Sequence, residues 1–134
     1  MSSVVIVEEN GQGRYQQQVT AGQHRLLADE PASMGGADAG PAPFDFVMAG
    51  LGACTSMTLR MYAERKGLPL EKVHVALSHD KVEVDGVTRD RIERQITLSG
   101  PLSDEQRQRL LEIAGKCPVH RALSGPLLLE CKLA

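Results

Sequence analysis

Two cysteines stand where thiol chemistry could be done. Cys54 closes an apolar run that begins at Phe44 and is followed by Thr55 and Ser56. Cys117 opens the segment Cys117-Pro118-Val119-His120-Arg121, which continues to Ser124 and Gly125. They are too far apart for a local C-x-x-C pair, so only the fold could bring them together. The thiolate is the reactive form, so the surroundings of each sulfur decide its use. Pro118 suits the first position of a helix, which puts Cys117 at the N-cap. There it faces free backbone N–H groups and the positive end of the helix dipole. His120 and Arg121 fall in the first turn and can add positive charge. These conditions lower a thiol pKa; the alternative is a cysteine that only caps a helix. In an apolar helix Cys54 would behave as a small hydrophobe, with its pKa raised by burial. A helix break at Gly50 or Gly52 would instead leave it near a new N-terminus. Cys131 alternates with Glu130 and Lys132 in a strand pattern and shares a face with Leu129 and Leu133, which predicts a core position.

Other chemistries find little support. His74 and His79 point to opposite faces of a strand. Cys117 and His120 alone have ligand-like spacing, and zinc needs three or four ligands, so no metal is expected. No Walker or Rossmann glycine pattern and no serine nucleophile elbow occurs, so no cofactor is expected.

The chain has 134 residues, three cysteines, no tryptophan, two Phe and two Tyr. That length predicts a single domain over residues 1–134 with an aliphatic core. The net charge of −2 gives no basic footprint for nucleic acid, and aromatic stacking platforms are scarce. No Lys/Arg block suits an anionic membrane. The first residues lack a basic n-region and a cleavage site, so no signal peptide is read there. The apolar stretch Phe44–Leu59 falls short of the roughly 20 residues that span a bilayer. Free thiols in a reducing, cytoplasmic compartment are the expectation.

The elements that must position the cysteines follow from periodicity. Val4–Val7, Arg14–Thr20 and His24–Ala28 predict a meander of strands, with turns at Asn10–Gly13 and Ala21-Gly22. Asp29–Ala42 is a long Gly/Pro-rich loop, a type that is often functional. From Pro43 to Lys66 the pattern predicts a helix, apolar nearly all round until Arg60 and therefore central and buried, stopped by Gly67. Val73, Val75 and Leu77 alternate as a half-buried strand. Asp85-Gly86 marks a hairpin, and Arg91–Ser99 returns with Ile92, Arg94, Ile96 and Leu98 on one face. Ser103 and Gln106 form a capping box for a helix ending at Gly115. A short helix runs from Pro118 to Gly125, and Leu127–Leu133 is a last strand. The order is α+β.

The motifs His24-x-Leu26-x-Ala28-Asp29-Glu30-Pro31, Gly35-Gly36, Gly40-Pro41-x-Pro43, Leu51-Gly52-Ala53-Cys54-Thr55, Met61-Tyr62-Ala63-x-Arg65-Lys66 and Lys116-Cys117-Pro118-Val119-His120-Arg121 resemble the OsmC/Ohr family of thiol-dependent hydroperoxide reductases. The resemblance runs in matching order over nearly the whole chain. It implies an OsmC-like α+β fold, an antiparallel sheet packed on a long central helix, and an intertwined homodimer with sites at the subunit interface. It implies that Cys54 is the peroxidatic thiol and Cys117 the resolving thiol. An organic hydroperoxide would oxidise Cys54 to a sulfenic acid, which condenses to a Cys54–Cys117 disulfide that a dithiol reduces. The role so implied is defence against oxidative stress.

Better-known branches of the family hold the thiolate with an Arg and a Glu. The Glu position is Phe44 here. Asp45 is the nearest carboxylate, one residue later and about 100° around a helix. The Arg position matches Arg14, with Arg25 as the alternative. The resemblance makes Cys54 the attacking sulfur, whereas the local pattern favours Cys117. A different class of function, a non-catalytic dimeric module that senses thiol oxidation or binds a small ligand, shares these residues; saturable hydroperoxide consumption separates the two.

Overall fold

The computed structural model describes residues 3–134. They form two compact units, one ending at Val47 and one beginning at Met48.

The first unit holds β1 (Val5–Glu9), β2 (Gln17–Ala21) and β3 (His24–Ala28), an antiparallel sheet in the order β1-β2-β3. β2 starts later than the apolar pattern suggested. Asn10 explains this: its Nδ2 donates to Gln16 Oε1 at 2.8 Å and its Oδ1 accepts from the Gln12 N–H at 2.9 Å. Those bonds keep the chain in a wide turn up to Gln16. Ala21 pairs with His24, so the next turn is Gly22-Gln23, one residue beyond its expected place.

The loop from Asp29 is organised by one carboxylate. Asp29 is buried, and its oxygens accept the N–H groups of Glu30 (2.8 Å), Ala37 (3.2 Å) and Ala39 (3.1 Å). Gly36 is needed because a Cβ there would collide with the Glu30 carbonyl.

α1 (Pro43–Lys66) begins in the first unit and continues through the second. The second unit adds β4 (Lys72–Val84), β5 (Val87–Ser99), α2 (Asp104–Ala114) and α3 (Pro118–Ser124). α1 runs unbroken through Gly50 and Gly52, so the alternative of a break there does not occur. Gly52 is instead a packing position: a Cβ there would lie 2.8 Å from Leu77 Cδ1 on β4. α1 buries Leu51, Gly52, Thr55, Leu59 and Ala63 along one face. Its other face is open in the single chain, with Met57 60% and Met61 64% exposed. The helix is therefore not buried all round as expected, because a two-stranded sheet and α2 cover one side only.

β4 and β5 pair in register from Lys72↔Ser99 to Val84↔Val87. Asp85 (φ 51°) and Gly86 (φ 78°) make the two-residue turn, whose left-handed pair suits the strand twist. β5 begins at Val87 rather than Arg91. Its polar first half is held by Asp80–Arg91 (2.6 Å) and Lys81–Asp90 (3.0 Å) pairs, which apolar alternation does not reveal. The core gathers Leu59, Ala63, Leu70, Leu102, Leu110, Ile113 and Ala114, with Val73, Ile96 and Leu98 of the sheet against it. Ser103 caps α2 and Gln106 returns the bond, as the sequence predicts.

The expected last strand is absent. Residues 126–134 carry no strand pairing, and Leu128, Leu129 and Leu133 are 79%, 83% and 98% exposed. Cys131 is exposed rather than core. The alternation is real, but a strand needs a neighbour, and among the described residues this segment has none. The architecture is α+β with antiparallel sheets and three α-helices. No helix is long and apolar enough to cross a membrane among the described residues.

Candidate active site

Cys54 projects from the middle of α1 and Cys117 from the N-cap of α3. The fold brings them close enough for the Cys54 thiol to help hold the Cys117 pKa down. Both thiols are free. Cys117 is fully buried, while Cys54 is half-buried. The Cys117 Sγ accepts the backbone N–H of His120 at 3.3 Å, the capping bond that its position and Pro118 predict.

The neighbour that sequence reasoning missed is Arg94. It stands on the inner face of β5, opposite Leu77 of β4, in a row with Ile92, Ile96 and Leu98. Its Nη1 donates to Thr55 Oγ1 at 2.8 Å and to the Ala114 carbonyl at the end of α2 at 3.3 Å. Its Nη2 donates to His120 Nδ1. Thr55 is fully buried, and its hydroxyl donates a hydrogen bond to the Leu51 carbonyl at 2.7 Å. α1, α2, β5 and α3 thus meet on one guanidinium. Its signal lies in the sequence: a charged residue in an apolar register needs a reason.

Burial is the largest single influence on Cys117 and pushes its thiol pKa up. The His120 N–H, the Cys54 thiol, the Thr55 side chain and the Arg94 charge act together against it, and the net shift is downward. Burial, and next the Arg94 charge, push the His120 pKa down. His120 is therefore neutral, and the expectation that it adds positive charge is corrected: the cation of the site is Arg94. Arg121 is exposed.

Arg14 and Asp45 make their recorded contacts in the first unit. The Arg14 guanidinium stacks on the Tyr15 ring, 5.0 Å from its centroid. Asp45 Oδ2 accepts the Ala42 N–H at 3.0 Å, which ties down the start of α1. Among the described residues, no three His, Cys, Asp or Glu side chains converge as a metal site.

The model of the OsmC family, described as OsmC-like protein, matches residues 35–132. The chain belongs to the OsmC-like protein family. No curated protein matches the sequence. Solved structures of OsmC-type proteins share the fold. An organic hydroperoxide resistance protein OsmC from Legionella pneumophila is 19% identical, with a TM-score of 0.73 over 93% of this chain and 90% of that one. An OsmC-like protein from Mycoplasma pneumoniae is 20% identical, with a TM-score of 0.73 over 92% and 86%. The organic hydroperoxide resistance protein OhrB of Bacillus subtilis is 21% identical, with a TM-score of 0.67 over 93% and 92%. In this OsmC-like chain the matched span contains both cysteines, Arg94 and His120, and excludes Arg14.

Proposed function

We propose that the chain is a thiol-dependent reductase of organic hydroperoxides that serves oxidative-stress defence in the cytoplasm. The observation that carries this reading is the proximity of Cys54 and Cys117 beside a half-buried arginine. Structural neighbours that are organic hydroperoxide resistance proteins support the substrate class. Cys54 is the sulfur with access to solvent, so a hydroperoxide meets it first. Its thiolate attacks the terminal oxygen, the O–O bond breaks, an alcohol leaves and Cys54 becomes a sulfenic acid. Cys117 then attacks that sulfur, expels hydroxide and closes the disulfide, which an external dithiol reduces. Arg14 and Asp45 are assigned to hold the reacting groups, and the single domain works as a homodimer.

The test is a thiol map after one equivalent of an alkyl hydroperoxide. Free thiols are blocked, the protein is digested, and a Cys54–Cys117 peptide pair is expected. Recovery of both cysteines unbridged overturns the reading. A second reading, a thiol sensor without turnover, is favoured by Phe44 in the carboxylate position and by the engagement of Asp45 on Ala42. Saturable hydroperoxide consumption with a dithiol present argues for the reductase; oxidation that stops after one equivalent argues for the sensor.

A further inference from the structure

We propose that Arg94 is the counter-ion of the Cys54–Cys117 dithiol and that the two sulfurs share one proton beside it. The inference rests on the assignment of these cysteines as the reacting pair. A guanidinium placed among apolar neighbours is costly unless it is paired. Every recorded partner of Arg94 is neutral: the Thr55 hydroxyl, the Ala114 carbonyl and the neutral imidazole of His120. Among the described residues no carboxylate meets it. The groups beside it that can become anionic are the two thiols. α1 contributes Cys54 and Thr55, α2 a carbonyl, α3 Cys117 and His120, and β4 sets Leu77 opposite Arg94. Among the described residues Arg94 is the cation that acts on the Cys117 sulfur.

One shared proton resolves the conflict over which sulfur attacks. At rest Cys117 is the thiolate and Cys54 donates its S–H to it. The proton crosses to Cys117 and leaves Cys54 as the thiolate. Cys54 sulfur bonds to the terminal oxygen of the hydroperoxide, the O–O bond breaks, and the departing alkoxide takes the proton from Cys117. The products are an alcohol, a Cys54 sulfenic acid and a Cys117 thiolate, again beside Arg94. Cys117 then forms the S–S bond as the S–O bond breaks, and hydroxide leaves to the solvent, where a buffer acid protonates it to water. Two electrons pass from the sulfurs to the peroxide, and the site carries one negative charge until hydroxide departs. Arg94 acts through the sulfurs, as a positioning residue.

The test compares the Cys131→Ser protein with Arg94→Gln and Arg94→Lys in the same background. Thiolate absorbance and iodoacetamide alkylation are followed against pH, and hydroperoxide turnover is measured separately. The parent should show about one thiolate per chain near neutral pH. Arg94→Gln should lose it and alkylate on the order of tenfold more slowly there, with its profile displaced to alkaline pH. Arg94→Lys should restore part of the shift, which loss of packing alone would not produce. Superimposable pH profiles for parent and Arg94→Gln overturn the proposal, whether or not the parent consumes hydroperoxide. A displaced profile in a protein that never turns over hydroperoxide keeps the counter-ion and sinks the reductase reading. If Arg94→Gln does not fold, the parent decides: two neutral thiols at neutral pH overturn the proposal.

Discussion

Cys54 and Cys117 divide the chemistry by access and by charge. The buried sulfur has its pKa held below the ordinary thiol value and the half-exposed one is open to a substrate, which is why sequence alone pointed in both directions. Cys117→Ser should accept one equivalent of hydroperoxide and accumulate a sulfenic acid on Cys54; Cys54→Ser should be inert. Dimedone labelling and mass spectrometry of the two variants check this, and label on Cys117 in Cys54→Ser would reverse the roles. Arg14→Ala should slow the first oxidation, measured by stopped-flow, if Arg14 holds the reacting sulfur. The N-cap of Cys117 was legible because Pro118 announces it. Arg94 was visible in its strand register, but its role was not, since the residues that surround it come from four distant segments. Asp29 gives a separate test. The Ala39 N–H, against the opposing effect of burial, and then the Glu30 and Ala37 N–H groups, hold its carboxyl below the ordinary value of 3.8. Its contribution to stability is thus present above the unfolded pKa and lost as pH falls through the folded one. Asp29→Asn should lower the urea midpoint at neutral pH, and the difference from the parent should vanish in acid.

Helices and hairpins were read well where one chain supplies every partner. α2 follows from its capping box and α1 from Pro43 and Gly67, since those signals are local. β5 was read too short because its outer half is stabilised by charge pairs rather than by apolar alternation. The glycines of α1 left a break open as an alternative, because the close packing of Gly52 against Leu77 is invisible in a sequence. The core ranks the expected losses. Leu59 is fully buried between elements, so Leu59→Ala should cost about 2–5 kcal/mol. Ser103→Ala removes the cap of α2 and should cost about 1 kcal/mol. Chemical denaturation at one pH gives both values, and equal losses would contradict the packing described.

The proposed homodimer would cover what the single chain leaves open. Met57 and Met61 of α1 and the leucines of residues 127–133 are apolar surface that a second copy could cover. Sedimentation equilibrium at micromolar concentration should return twice the 14.5 kDa chain mass. A stable single-chain mass would leave the expected homodimer without support. The missing last strand was misread for the same reason: alternation states which faces a strand would have, not where its neighbour is.

The exposed segment after Pro126 also carries an aggregation hazard. Leu127-Leu128-Leu129 is a short, exposed apolar run outside any sheet, the kind of template that recruits strands from partly unfolded chains. Pro126 on one side and Glu130 and Lys132 on the other act as gatekeepers. Replacing both charged residues with alanine should leave the thiol site intact yet raise light scattering on mild heating. The solvent-facing Cys131 would then fix chance encounters as covalent links wherever reductant is withheld.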